Sequence, residues 1–142
     1  MIKHFTRIGG RISFPPPLCA LVQTDGSYKK NLGRAAAILR TADMQNIHTR
    51  TWDLGAVWSS TEAEYASIFH GLQLALQKEQ EFICIENDCL PVIGSLFFKQ
   101  NPLKLSYARR YRSDILELCE QAGWVGLRWI PRENNRADAL LR

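Results

Sequence analysis

The segment SSTEAEYASIFHGLQLALQ, residues 59–77, constrains the fold more than any other stretch of this chain. Tyr65, Ile68, Phe69, Leu72, Ala75 and Leu76 recur at helical spacing behind a Ser/Thr start, the pattern of an amphipathic helix with one apolar face to bury. Three apolar stretches precede it, and EFICIENDC, residues 81–89, follows it as a short β-branched and aromatic run that barely alternates. That run reads as a buried strand. A helix between strands makes a crossover, and a crossover lays the strands it joins parallel.

The three preceding stretches run from Leu18 to Val22, from Ala35 to Leu39 and, alternating, from Ile47 to Leu54, with polar turns between them. They predict an antiparallel meander. A short helix is expected from about Leu90 to Phe98. After Asn101-Pro102 the stripe Tyr107, Tyr111, Ile115, Leu118, Cys119, Ala122 marks another helix, with Gly123 as its C-terminal cap. WVGLRWIP is a fifth strand, and NNRADALLR begins a last helix. The expected architecture is an α/β mixed five-stranded sheet, three antiparallel strands then two parallel ones, flanked by helices.

Phe14-Pro15-Pro16-Pro17 cannot continue a helix or a central strand, so the folded domain is expected to occupy residues 18–142. Residues 1–17 then form a basic N-terminal extension carrying Lys3, Arg7 and Arg11 and no acid: an arm, an added edge strand or a loose terminus. A length of 142 residues, 46% hydrophobic and 23% charged, suits one globular domain with a real core. No apolar stretch approaches the roughly 20 residues of a membrane span, and the N-terminus has no secretory apolar region. A soluble, cytoplasmic protein is expected. None of Cys19, Cys84, Cys89 and Cys119 forms a Cys-x-x-Cys pair, so buried free thiols are expected rather than a zinc or redox site. His4, His48 and His70 lack the spacing of a local metal or catalytic pair. The net charge of +4 fits a polyanionic partner.

Asp25 and Asp88 both follow apolar runs, and on neighbouring parallel strands they would stand side by side. Two such carboxylates repel, and a divalent cation between them removes the repulsion. Each acid also has a local explanation. Asp25-Gly26 is a hairpin-turn signal, Asp88 can cap the next helix, and Asp138 can compensate a helix dipole. Thr61-x-x-Glu64 fits a capping box, as does Glu62 with an earlier cap at Ser59.

Taken in order, Asp25-Gly26-Ser27, Glu64 in TEAEYASIFHGLQLAL, Asp88 in IENDC and Asp138 in WIPRENNRADAL resemble the type 1 ribonuclease H family. The resemblance is to its branch lacking the usual active-site histidine, which includes archaeal and plant reverse-transcriptase-like members, and it covers residues 18–142. It implies a ribonuclease H-like fold, with Asp25, Glu64, Asp88 and Asp138 as catalytic, metal-binding acids. It further implies a pair of Mg²⁺ or Mn²⁺ ions and hydrolysis of the RNA strand of an RNA/DNA hybrid by a two-metal-ion mechanism. Tyr28-Lys29-Lys30-Asn31-Leu32-Gly33 replaces the family's glycine-rich turn, Ser60 and Thr61 stand where hybrid-contacting asparagines are common, and Arg132-Glu133 stands where many relatives have histidine.

KQNPLKLSYARRYRSDI, residues 99–115, clusters Lys99, Lys104, Arg109, Arg110 and Arg112 around Tyr107 and Tyr111. The tyrosines fall on the apolar stripe, whereas cations near a helix N-terminus oppose its dipole and point to a phosphate partner. A solvated face with an Arg110–Asp114 pair is the alternative. The candidate substrate contacts are Gly26, Ser27, Ser60, Thr61, Lys104, Arg109, Arg110, Arg112, Arg132 and Asn134. Two other readings stand beside the hybrid-cutting enzyme: a catalytically silent hybrid- or duplex-binding domain, and another nuclease on this fold, either a resolvase or an exonuclease. Proofreading exonucleases show Asp-x-Glu on the first strand, and Asp25-Gly26-Ser27 lacks that glutamate.

Overall fold

A computed structural model of the chain describes residues 5–97 and 106–142; Lys3, His4, Lys99, Asn101, Pro102 and Lys104 lie outside them. In chain order the elements are β1 (Thr6–Gly9), β2 (Ala20–Lys29), β3 (Leu32–Arg40), β4 (Ile47–Ala56), α1 (Ser60–Gln77), β5 (Phe82–Asn87), α2 (Leu90–Phe97), α3 (Ser106–Cys119) and β6 (Trp124–Trp129). Two 3₁₀ segments, Arg132–Asn134 and Arg136–Leu141, follow. The strands form one mixed sheet in the order β1-β6-β5-β2-β3-β4. β2, β3 and β4 are the antiparallel meander, and β5 lies parallel to both β2 and β6. The five expected strands are present. A sixth, β1, pairs antiparallel with β6 and raises the count. It has four residues and one buried apolar side chain, Ile8, too little to show a period in the sequence.

α1 packs on the sheet with Ala63, Tyr65, Ala66, Ile68, Leu72, Leu74 and Ala75 buried. Tyr65, Ile68, Leu72, Leu74 and Ala75 meet Val22, Ala37, Leu39, Ile83 and Ile85 in one core, where each fully buried Leu or Ile contributes about 1.5–3 kcal/mol. Helix and strand approach closely at two glycines. A Cβ on Gly71 would lie 2.5 Å from Thr24 Cγ2, and one on Gly26 would lie 2.4 Å from the Ala63 carbonyl. Tyr107 and Tyr111 pack against the core from α3, as the apolar stripe requires. His70 stacks on Trp52 at 5.1 Å.

Four local expectations are corrected. β2 does not turn at Asp25-Gly26: pairing with β3 runs unbroken from Leu21↔Arg40 to Lys29↔Leu32. The hairpin turns at Lys30 and Asn31, both at positive φ (52° and 67°), as a tight two-residue connection demands. α3 ends at Cys119, and Gly123 donates its N–H to the Glu81 carbonyl at the entry to β6 instead of capping the helix. The C-terminal residues form 3₁₀ turns rather than an α-helix. Cys19 and Cys84 form a disulfide (Cα–Cα 6.2 Å) because β2 and β5 are adjacent, with Leu21 in register with Cys84, while Cys89 and Cys119 remain thiols. Among the described residues, no helix is long and apolar enough to cross a membrane.

Candidate active site

The parallel ladder between β2 and β5 ends at the pair Gln23↔Glu86, while the β2–β3 ladder continues for six more residues. Asp25 sits just past that end, and Asp88 is the first residue beyond β5. By strand alternation Asp25 shares a face with Gln23, opposite the face on which Thr24 meets Gly71 of α1. Glu64 reaches the same spot from the first turns of α1. Its Oε1 accepts the Gly26 N–H at 2.8 Å. Asp25, Glu64 and Asp88 each bring a carboxylate oxygen to within 4.8 Å of the others. Asp138, on the second 3₁₀ segment, lies close enough to Asp25 for the two carboxyl groups to interact. It stands outside the three-oxygen group. Its own oxygens accept from Arg142 (2.7 and 3.2 Å) and Arg132 (3.5 Å).

Crowding of like charges governs the electrostatics. Burial, then the charges of Asp88 and Asp138, push Asp25 from 3.8 to about 7, against a backbone hydrogen bond from Gly26. Burial and the charges of Asp25 and Asp88 push Glu64 up to about 9, opposed by donors on Asn87 and Gly26. Asp88 is raised chiefly by burial, with Asn135 and Arg132 pulling it down. Asp138 is lowered, above all by its hydrogen bonds from Arg142. Three oxygen donors that repel one another without a counter-charge are a donor set suited to a hard divalent cation. Asp25, Glu64 and Asp88 would hold it.

The local readings of these acids yield to tertiary contacts. Ser59 caps α1 by accepting the Glu62 N–H, and Glu62 Oε1 reaches back to the Trp58 N–H, so Glu62 does the capping and Glu64 faces the strand ends. Asp88 does not cap α2; Asn87 Oδ1 instead accepts the Cys89 N–H at 2.8 Å.

Gly26 accommodates α1, and Ser27 pairs with Arg34 on β3. Ser60 is exposed and Thr61 half-buried at the start of α1. Arg109 and Arg110 are exposed on α3, and Arg112 is half-buried. The described ion pairs include none between Arg110 and Asp114. Arg132 is 78% exposed beside Asp138, and Asn134 is exposed, its carbonyl accepting from Gln23 Nε2.

The sequence reading passed over Asn87 (0% exposed), Asn135 (4%) and Gln23, which hold this rim together. A signal existed for Asn135. Three residues before Asp138 at a helix start, Asn is a leading N-cap residue, and its Oδ1 accepts the Ala137 N–H.

Sheet order and crossover helix together define a ribonuclease H-like fold. Solved structures agree on the fold. RNase H1 from the halophilic archaeon Halobacterium salinarum NRC-1 matches with a TM-score of 0.77 at 23% identity, over 85% of this chain and 92% of that one. The N-terminal RNase H domain of a Mycobacterium tuberculosis protein, solved as a maltose-binding-protein fusion, matches at 0.76 and 20% identity, over 87% and 90%. LC11-RNase H1 in complex with an RNA/DNA hybrid matches at 0.66 and 20% identity, over 85% and 92%. A search of curated protein sequences gave no match. The sequence profile of the family described as "Reverse transcriptase-like" matches residues 23–141, and the chain belongs to that family.

Proposed function

We propose that this chain is a divalent-cation-dependent endoribonuclease that hydrolyses the RNA strand of RNA/DNA hybrids. The observation that carries the reading is the convergence of Asp25, Glu64 and Asp88 within 4.8 Å, at the strand ends of a ribonuclease H-like fold. The hybrid bound to LC11-RNase H1 supports the choice of substrate. Asp25, Glu64 and Asp88 would ligate the cations, Mg²⁺ or Mn²⁺ as a pair, with Asp138 completing the set beside Asp25. When bound, such ions activate the attacking water and stabilise the leaving oxygen.

The chain's own groups do the rest. The Gly26 N–H orients the Glu64 carboxylate, and Arg132 supplies positive charge beside Asp88 and Asp138. Arg109, Arg110 and Arg112, together with Lys104, would meet phosphates, contacts that give affinity without sequence choice. Gly26, Ser27, Ser60, Thr61 and Asn134 would line the path of the hybrid near the acids.

The test is a labelled hybrid incubated with Mg²⁺, Mn²⁺ or EDTA, beside double-stranded RNA and branched DNA. Cleavage of the RNA strand in either metal and none in EDTA is expected. Asp88→Asn should lower the rate by about 10³-fold, since a ligating carboxylate supports several kcal/mol of transition-state stabilisation. Tight hybrid binding without cutting in either metal would instead make the chain a binding domain.

A further inference from the structure

One backbone carbonyl draws the acid-bearing segments together. Thr24 lies one residue past the last rung of the β2–β5 ladder, and its oxygen accepts two side-chain amides, from Asn135 Nδ2 at 2.8 Å and Asn87 Nδ2 at 3.1 Å. A carbonyl has two lone pairs, so both bonds are satisfied at once. Asn135 Nδ2 also donates to Asp88 Oδ2 at 3.2 Å, while its Oδ1 accepts the Ala137 N–H at 3.2 Å. Asn87 Nδ2 also reaches Thr24 Oγ1 (3.1 Å) and Glu64 Oε1 (3.4 Å), and its Oδ1 accepts the Cys89 N–H. In both residues Oδ1 faces a backbone donor, which fixes the orientation of each carboxamide.

From this geometry we infer that Asn135 and Asn87 are positioning residues, hinged on the Thr24 carbonyl, that hold Asp88, Glu64 and the Asp138 segment in the register a divalent cation requires. The inference rests on the functional reading above. Asn135 is the more diagnostic of the two, because it alone ties Asp88, the strand bearing Asp25 and the 3₁₀ segment bearing Asp138 to one another. Gln23 supports the same segment from its other side, donating to the Asn134 carbonyl and accepting the Arg136 N–H. Removing a partner that orients a metal-ligating carboxylate typically costs about 10–100-fold in metal affinity or activity.

The experiment compares wild type, Asn135→Ala and Asn135→Ser in the full chain. Free Mn²⁺ is titrated by electron paramagnetic resonance, hybrid cleavage is measured across a Mn²⁺ series, and each protein is melted. Asn135→Ala should weaken Mn²⁺ binding by about 10–100-fold and lower kcat at fixed subsaturating Mn²⁺, with the KM for hybrid changed less than about twofold. Asn135→Ser keeps an acceptor for the Ala137 N–H but is too short to reach Thr24 and Asp88 together. It should therefore show the same metal defect with a smaller drop in Tm, and it decides the matter if Asn135→Ala does not fold. A variant that melts cooperatively yet binds Mn²⁺ within about twofold of wild type would reduce the residue to a structural cap and overturn the inference. Wild type that binds Mn²⁺ but cuts no hybrid would defeat the functional reading alone, leaving the titrations to judge the asparagine. Wild type that binds no Mn²⁺ would overturn both.

Discussion

Replacing Asp25 with asparagine is expected to stabilise the cation-free protein while removing one of the proposed cation ligands. Asp25 is 6% exposed, and its carboxyl is pushed from 3.8 to about 7 by burial and by its acidic neighbours. Its folded-state value lies above its unfolded one, so the fold binds this proton more tightly than the unfolded chain does. That advantage is complete below the unfolded value and is lost as pH rises through the folded one. Raising a carboxyl from 3.8 to about 7 corresponds to at most about 4 kcal/mol once the group is ionised in both states. Near pH 8 Glu64, pushed up to about 9, still holds its proton and relieves part of the repulsion. With solvent reaching the rim, about 2 kcal/mol is the working figure. For a chain of this size that is a rise in Tm of about 6 °C. The assay is a circular-dichroism melt of wild type and Asp25→Asn in EDTA across pH. The two should melt together at about pH 3, diverge through about pH 4 to 7 and stay apart by about pH 8. Adding Mn²⁺ should then stabilise wild type and close the gap, since a ligand of the native state stabilises by mass action. A gap of the same size at about pH 3 and about pH 8, or none at either, would refute the charge-crowding argument.

Three further outcomes are expected. Gly26→Ala places a Cβ 2.4 Å from the Ala63 carbonyl, so the first turn of α1 must shift with Glu64; the variant should lose about 1–3 kcal/mol in denaturant melts and bind Mn²⁺ more weakly than wild type. Reduction of Cys19–Cys84, which closes a separation of 65 residues, should cost up to about 4 kcal/mol in the chain-entropy picture. Dithiothreitol should therefore lower the Tm of wild type and leave that of Cys84→Ser unchanged. Arg109→Glu and Arg110→Glu should raise the KM for hybrid, with kcat unchanged, and each should lower the slope of log affinity against log salt by about 1, measured by fluorescence anisotropy.

Segments whose partners are close in sequence, or whose burial imposes a period, were legible. α1 showed itself through Ile68, Leu72 and Ala75, and its crossover fixed the parallel pairing of β5 with β2. Asp25 and Asp88 came together as the order of elements implied, and Glu64 joined them where the family resemblance, not element order, puts it. The differences are places where a local signal met a stronger distant one. Asp25-Gly26 reads as a turn, yet nine paired registers with β3 carry the strand through it. Thr61 and Glu64 fit a capping box as well as Ser59 and Glu62 do, and the structure chooses Ser59 and Glu62, leaving Glu64 free to face Gly26. Cys19 and Cys84 carry no spacing signal, because only the adjacency of β2 and β5 brings them together. β1 is too short for alternation to register. The final segment, read as an α-helix, is drawn into tighter 3₁₀ turns, with Gln23 and Asn135 bonding its first residues to β2.

The amides that meet on Thr24 come from residues 63 and 111 positions away along the chain. The segment bearing Asp138 is docked by polar bonds and one fully buried alanine, Ala137, while the sheet beneath it is secured by a large apolar core. Free energies of local opening track such differences, and a segment with few buried apolar contacts detaches well before the whole molecule unfolds. Warming the protein is therefore expected to extinguish the proposed ion binding several degrees below the cooperative melt, as a docking equilibrium within a still-folded sheet.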